Sequence, residues 1–65
     1  MNPYVKIKAV RLERRLTQTR LAHLADISQS YLSELENNKK SPALRELCKI
    51  ADALNVKPSE LVYYL

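Results

Sequence analysis

The segment 17–37 constrains the fold of this 65-residue chain more than any other stretch. Its sequence, TQTRLAHLADISQSYLSELEN, places apolar residues at helical spacing on both sides of a short break at Asp26-Ile27. Thr17 and Ser28 stand where the two helices would begin, and their hydroxyls can accept the backbone N–H groups that a first helical turn leaves unpaired. The segment therefore predicts two short helices joined by a turn, with Ile27 filling the angle between them.

The second of these helices has two contrasting faces. Leu32 and Leu35 are predicted to point inward, toward a core. The opposite face carries small polar or hydrogen-bonding side chains, namely Gln29, Ser30, Ser33, Glu34 and Asn37. Side chains of this kind suit contact with base edges in the major groove of DNA.

The order of residues resembles the helix-turn-helix domains of the phage lambda repressor and Cro type, also described as xenobiotic-response-element-like. The resemblance runs from about Ile7 to Leu61 and rests on Val10-Arg11, Thr17-Gln18, Leu21-Ala22, Ile27-Ser28, Leu32, Leu35, Glu36-Asn37, Lys39, Pro42 and Ile50-Ala51 with Leu54. It implies a compact all-α five-helix bundle whose helix-turn-helix is formed by helices 2 and 3. The length agrees with one domain over residues 1–65.

The chain departs from that family in containing no glycine. Arg15, Asp26 and Asn38 stand where the family usually has one. Asp and Asn tolerate the left-handed backbone conformation better than other non-glycine residues, so Asp26 and Asn38 are acceptable substitutes. Arginine lacks that tolerance, and the sequence leaves the conformation at Arg15 open.

Three further helices are predicted outside the central segment. The first runs from Tyr4 to about Arg15 and is apolar on one side and basic on another. The fourth has Pro42 in its first turn, where a missing N–H costs nothing, and the fifth begins near Pro58. The apolar stripe of the fourth helix consists of Leu44, Leu47, Cys48, Ala51 and Leu54.

The last ten residues carry more apolar and aromatic groups than so small a core can bury. We therefore expect the C-terminal helix, about residues 58–65, to contact a second copy in a symmetric homodimer. Tyrosine is favoured at such interfaces. The alternative is that the tyrosines fold back onto their own chain. The predicted contact residues are Leu61, Val62, Tyr63, Tyr64 and Leu65.

Charge is unevenly distributed along the sequence. The net charge is +4 and the pI is about 9.5, which favours a polyanionic partner. Residues 1–25 carry a net +5, residues 26–37 carry −3 and residues 38–49 carry +3. The predicted reading helix is thus acidic and its flanks are basic, unless these are simply solvated surface charges.

Together these observations predict a sequence-specific double-stranded DNA-binding transcriptional regulator, specifically a dimeric repressor reading a palindromic operator with helix 3 in the major groove. Base reading is expected from Gln29, Ser30, Ser33 and Glu34. Phosphate contacts are expected from Thr17, Gln18, Asn37, Lys39, Lys40 and Arg11 or Arg14. The resemblance also implies contact between Gln18 and the glutamine of the reading helix, and an ion pair between Arg11 and Glu36.

The competing hypothesis is a protein-interaction module, such as an antitoxin or adaptor, which the acidic third helix would suit. An enzyme is not expected, because no nucleophile stands with a base and no metal-ligand cluster is evident. Cys48 is alone and His23 reads as a surface residue, so no metal or cofactor site and no small-molecule ligand is predicted. No membrane-spanning run or signal peptide is evident, and a cytoplasmic location is expected.

Overall fold

A computed structural model describes residues 5–62 as a bundle of four α-helices. These are α1 (Ile7–Glu13), α2 (Gln18–Ala25), α3 (Gln29–Glu36) and α4 (Leu44–Leu54), and a 3₁₀ helix follows at Pro58–Leu61. The all-α prediction is confirmed. The predicted fifth α-helix is wrong, because its place is taken by this single 3₁₀ turn.

Every helix contributes to one apolar core. Leu32 and Leu35 of α3 are fully buried, as predicted, and so is Leu61 of the 3₁₀ helix. α4 packs mainly against α2, and α2 in turn packs against α3. The helix-turn-helix is therefore held against the rest of the bundle through α2. The buried apolar residues are Ile7, Leu21, Ala22, Ala25, Leu32, Leu35, Ile50, Ala51, Leu54 and Leu61.

The two ends of the described chain are joined to each other. The Lys6 N–H donates to the Leu61 carbonyl at 2.6 Å, and Val5 forms an isolated antiparallel bridge with Val62. Val62 is consequently extended, with φ −121° and ψ 148°, so the helical turn cannot continue beyond Leu61. The predicted helix over 58–65 is therefore cut short, and residues 63–65 lie outside the described residues.

The ends and faces of α1 and α4 differ in detail from the prediction. α1 is shorter than residues 4–15, and α4 begins at Leu44, so Pro42 precedes the helix. Leu44 is 73% exposed, although it was predicted to face the core, and Leu12 of α1 is 56% exposed. Ile50 is fully buried instead, since the inward stripe of α4 starts three residues later than expected.

All four α-helices end in the same way, without glycine. Arg15, Asp26, Asn38 and Asn55 each have φ between 56° and 60°. In each case the N–H of the next residue donates to the carbonyl five residues before it, at 2.8–3.1 Å. This is the Schellman arrangement, which satisfies carbonyls that a helix end leaves unpaired. The expectation for Asp26 and Asn38 is confirmed, and Arg15 adopts the same left-handed conformation.

Candidate nucleic-acid interface

The two helices of the helix-turn-helix begin at side-chain caps. Thr17 Oγ1 accepts from the Arg20 N–H and Ser28 Oγ accepts from the Tyr31 N–H, both at 3.0 Å. Between them the Ile27 N–H donates to the Ala22 carbonyl at 3.0 Å, and the Ile27 side chain packs against the core. The caps and the turn predicted from segment 17–37 are confirmed.

The polar side of α3 is left uncovered by the rest of the described chain. Gln29 and Ser30 are exposed, and Ser33 and Glu34 are half-buried at its rim. Gln18, at the start of α2, lines one shallow surface depression with Gln29, Ser30 and Ser33. The structure thus brings three of the four predicted base-reading residues, Gln29, Ser30 and Ser33, together beside the first turn of α2. Glu34 does not line this depression and lies beside Lys40 instead.

A buried ion pair fixes α3 to α1. Arg11 Nε donates to Glu36 Oε2 at 2.8 Å, and Arg11 Nη2 donates to Glu36 Oε1 at 3.0 Å. Arg11 Nη1 also donates to the Leu16 carbonyl at 2.9 Å. The planar guanidinium matches the carboxylate in this two-point geometry, so the pair positions α3 as well as neutralising both charges. The predicted pair is confirmed.

Glutamine side chains extend this network to the exposed face. Gln18 Nε2 donates to Glu36 Oε1 at 3.1 Å, and Gln29 Nε2 donates to Gln18 Oε1 at 3.4 Å. The amide orientations follow from these partners, because a carboxylate can only accept. Gln29 is exposed, and this bond engages only one of its side-chain N–H groups. The predicted contact between the two glutamines is confirmed.

Both arginines that were predicted as alternative phosphate contacts form hydrogen bonds within the chain. Arg11 is only 8% exposed and its guanidinium is bound to Glu36 and Leu16, so the structure favours Arg14 of the two for a phosphate contact. Arg14 Nε donates to the Leu54 carbonyl at 3.1 Å. This bond holds Arg14 against the C-terminal end of α4, where a cation is favourable.

The chain following α3 carries the remaining predicted polar contacts. Asn37 Nδ2 donates to Ser33 Oγ at 3.4 Å, which keeps the amide beside the exposed face. Lys39 is exposed. Lys40 Nζ lies 3.4 Å from Glu34 Oε1, a pairing that the sequence did not indicate because it depends on how the loop folds back.

The acidic character of residues 26–37 is compensated in three dimensions. Glu36 is bound to Arg11, and Glu34 lies beside Lys40. Lys49 Nζ donates to the backbone carbonyl of Asp26 at 3.1 Å, which places a third cation near the third acidic residue. Two of the three negative charges of this segment are thus paired with basic side chains from other parts of the chain, and at the third residue a lysine contacts the backbone only.

The residues predicted to contact a second copy are only partly described. Leu61 is fully buried in the core of its own chain, so it is a core residue and not an exposed contact residue. Val62 is half-buried. The remaining predicted contacts, Tyr63, Tyr64 and Leu65, lie outside the described residues.

Residues 5–62 contain neither a metal-binding cluster nor a membrane-spanning helix. No three His, Cys, Asp or Glu side chains in this range form a group that could hold a metal ion. His23 is exposed and Cys48 is half-buried with a free thiol. None of the helices in the same range has the length and apolar character needed to cross a bilayer.

Comparison with known proteins assigns the class. A family model described as helix-turn-helix, HTH_3, matches residues 7–61, and the chain belongs to this family. The predicted membership of the lambda repressor and Cro type is thereby confirmed.

Its relatives include an immunity repressor protein of Bacillus phage phi105, 44% identical over 57 residues that cover 88% of this chain. The control protein C.BamHI of Bacillus amyloliquefaciens is 31% identical over 58 residues, covering 88% of this chain and 72% of the relative. The solved structure of SinR, a master regulator for biofilm formation in complex with DNA, has a TM-score of 0.79 at 33% identity, covering 83% of this chain and 87% of that chain. The chain spans about 40% of the length of the phage repressor.

Proposed function

We propose that this chain is a sequence-specific double-stranded DNA-binding regulator of transcription, acting as a repressor in the cytoplasm. One observation carries the proposal: the uncovered side of α3 presents hydrogen-bonding groups on a helix fixed from behind by a buried ion pair. Relatives named as a repressor and a control protein, and a similar fold solved with DNA, support it.

Gln29 is the base-reading residue with the best-defined geometry. Its bond to Gln18 uses one N–H and leaves Oε1 and the second N–H available. Adenine offers a donor at N6 and an acceptor at N7, which match this pair of groups. Glu34 can accept from cytosine N4, and Ser30 and Ser33 can donate or accept.

Lys39 is the strongest candidate for a phosphate contact. It occupies the position after the left-handed residue at the end of α3. At the other three helix ends that position is apolar and packs against the core, namely Leu16, Ile27 and Val56. An exposed lysine at this one position gives up a packing contact, which a charge interaction with DNA would explain. Thr17, Gln18 and Asn37 would complete the backbone contacts beside α3.

The proposed active unit is a homodimer on a palindromic operator. Two copies would place their α3 helices about 34 Å apart, one turn of DNA. The proposed contact comes from Val62, Tyr63, Tyr64 and Leu65. Sedimentation equilibrium should show a dimer, and Tyr63→Ser with Tyr64→Ser should shift it toward monomer.

The test of the function is selection of bound sequences from a random duplex pool. We expect enrichment of a two-fold symmetric sequence. Gln29→Ala should then lose about 1–3 kcal/mol of binding free energy and relax preference at one base pair per half-site. Lys39→Ala should weaken all sequences alike and reduce the salt dependence. Lys57→Ala removes the same charge from the connection before the 3₁₀ helix and serves as the matched control.

Two results would count against sequence-specific DNA binding. Weak, salt-sensitive retention of random DNA with no enriched sequence would reject specific reading and favour a protein-interaction module. Equal loss on every sequence from Gln29→Ala would reject its role in base reading. The acidic character of α3 was the reason to consider a protein-interaction module. This support is weakened because both glutamates of α3 lie beside basic side chains.

A further inference from the structure

The two lysines that follow α3 have different surroundings. Lys40 Nζ lies 3.4 Å from Glu34 Oε1, and the two side chains are 55% and 39% exposed. Lys39 is exposed and forms no ion pair within residues 5–62. The two adjacent lysines thus differ in one respect: Lys40 is paired with a carboxylate of α3, and Lys39 is not.

The backbone at the end of α3 produces this difference. Asn38 has φ 58°, and its N–H donates to the Leu35 carbonyl at 3.2 Å. The Lys39 N–H donates to the Glu34 carbonyl at 2.8 Å. These bonds turn the chain back over the last turn of α3. The Lys40 side chain therefore lies beside Glu34, six residues earlier in the sequence.

We propose that Lys40 is a positioning residue that sets the base preference of Glu34, and not a phosphate-binding cation. The inference rests on the proposed function. The ammonium at Oε1 restricts the orientation of the carboxylate and leaves Oε2 to accept from a base donor such as cytosine N4. It also offsets a negative charge that the phosphates would repel. Without Lys40 the carboxylate rotates freely, and discrimination at its base pair falls.

The base pair contacted by Glu34 is first identified as the one at which Glu34→Gln selects a different base from the unmodified protein. The test then uses two duplexes that differ only at this base pair. The quantity measured is the ratio of their dissociation constants. Lys40→Met should lower this ratio about 1.4- to fivefold, the size of effect expected of a surface charge pair. Lys40→Arg, which keeps the charge, should retain most of it. In a Glu34→Gln background, Lys40→Met should leave the ratio unchanged.

Lys39→Met is the matched control. It should weaken both duplexes alike, leave the ratio unchanged, and reduce the slope of log affinity against log salt by about 0.9 for each copy of the chain bound. If Lys40→Met behaves as Lys39→Met does, with an unchanged or increased ratio, the positioning role is refuted while DNA binding stands. Failure of the unmodified protein to prefer any duplex would instead refute the proposed function, and this inference with it.

Discussion

Replacing Arg11 by methionine tests the contact on which the position of α3 depends. Methionine keeps an unbranched side chain of similar reach and removes the guanidinium. The change deletes both bonds to the Glu36 carboxylate and the bond to the Leu16 carbonyl. Glu36 then keeps only its bond from Gln18, although its side chain is just 2% exposed.

The expected cost follows from that burial. Removing one partner of a buried ion pair costs about 3–5 kcal/mol, because the other charge stays buried and uncompensated. A domain of 65 residues has a free energy of unfolding of about 3–10 kcal/mol at 0.05–0.15 kcal/mol per residue. Arg11→Met should therefore remove a large share of the stability. For a domain of this size, Tm should fall by at least about 12 °C.

Urea denaturation followed by circular dichroism at 222 nm would measure the change. The double variant Arg11→Met with Glu36→Gln removes both charges and retains an acceptor for Gln18. It should be more stable than Arg11→Met alone, because no unpaired charge is left inside. Arg20→Met removes an exposed arginine from α2 and should stay within about 0.5 kcal/mol of the unmodified protein.

Two results would contradict this reasoning. An unchanged urea midpoint for Arg11→Met would mean that the pair contributes nothing to folding. If the losses of Arg11→Met and of Glu36→Gln alone add up to the loss of the double variant, the two side chains do not interact, whatever their separation.

Two further predictions concern the helix ends. Arg15→Gly should raise the free energy of unfolding by up to about 1 kcal/mol, because it relieves a left-handed arginine at some cost in unfolded-chain entropy. Asn38→Gly should change it less, and a lower urea midpoint for Arg15→Gly would contradict the left-handed conformation. Ser28→Ala should cost about 1 kcal/mol by thermal denaturation through loss of the cap on α3, whereas Ser28→Gly should cost only a few tenths. Equal losses for alanine and glycine would exclude the cap as the cause.

The helix-turn-helix could be predicted in detail because its signals are local. Thr17 and Ser28 cap the helices that follow them, and Leu32 and Leu35 fix which side of α3 is buried. The Arg11 and Glu36 pair, which spans 25 positions, came from family resemblance and not from spacing.

The face of α4 could not be predicted because two apolar stripes fit its sequence. One stripe consists of Leu44, Leu47, Cys48 and Ala51. The other has the same spacing and consists of Leu47, Ile50, Ala51 and Leu54. Packing against α2 selects the second, which leaves Leu44 exposed. Periodicity within one helix cannot contain that information.

The sequence indicated which residues lie at the candidate site. It did not indicate which of their side chains are bound to other residues of the chain. Arg11 reads as an exposed cation in the sequence, but its partners lie on α3 and in the turn after α1. Lys39 and Lys40 read as equivalent, and only the left-handed Asn38 distinguishes them by turning the loop back onto Glu34. Each difference depends on contacts between segments that are distant in the sequence or joined by a turn.

The cations placed beside the acidic residues of segment 26–37 have a kinetic consequence for the proposed DNA binding. At separations much larger than the distances within these charge pairs the opposite charges cancel, so α3 would exert almost no net pull on a duplex. Approach would then be driven by the basic flanks alone, which sense every phosphate equally. Discrimination between sequences would begin only at contact, so the protein should first associate anywhere along DNA and find its operator by moving along it.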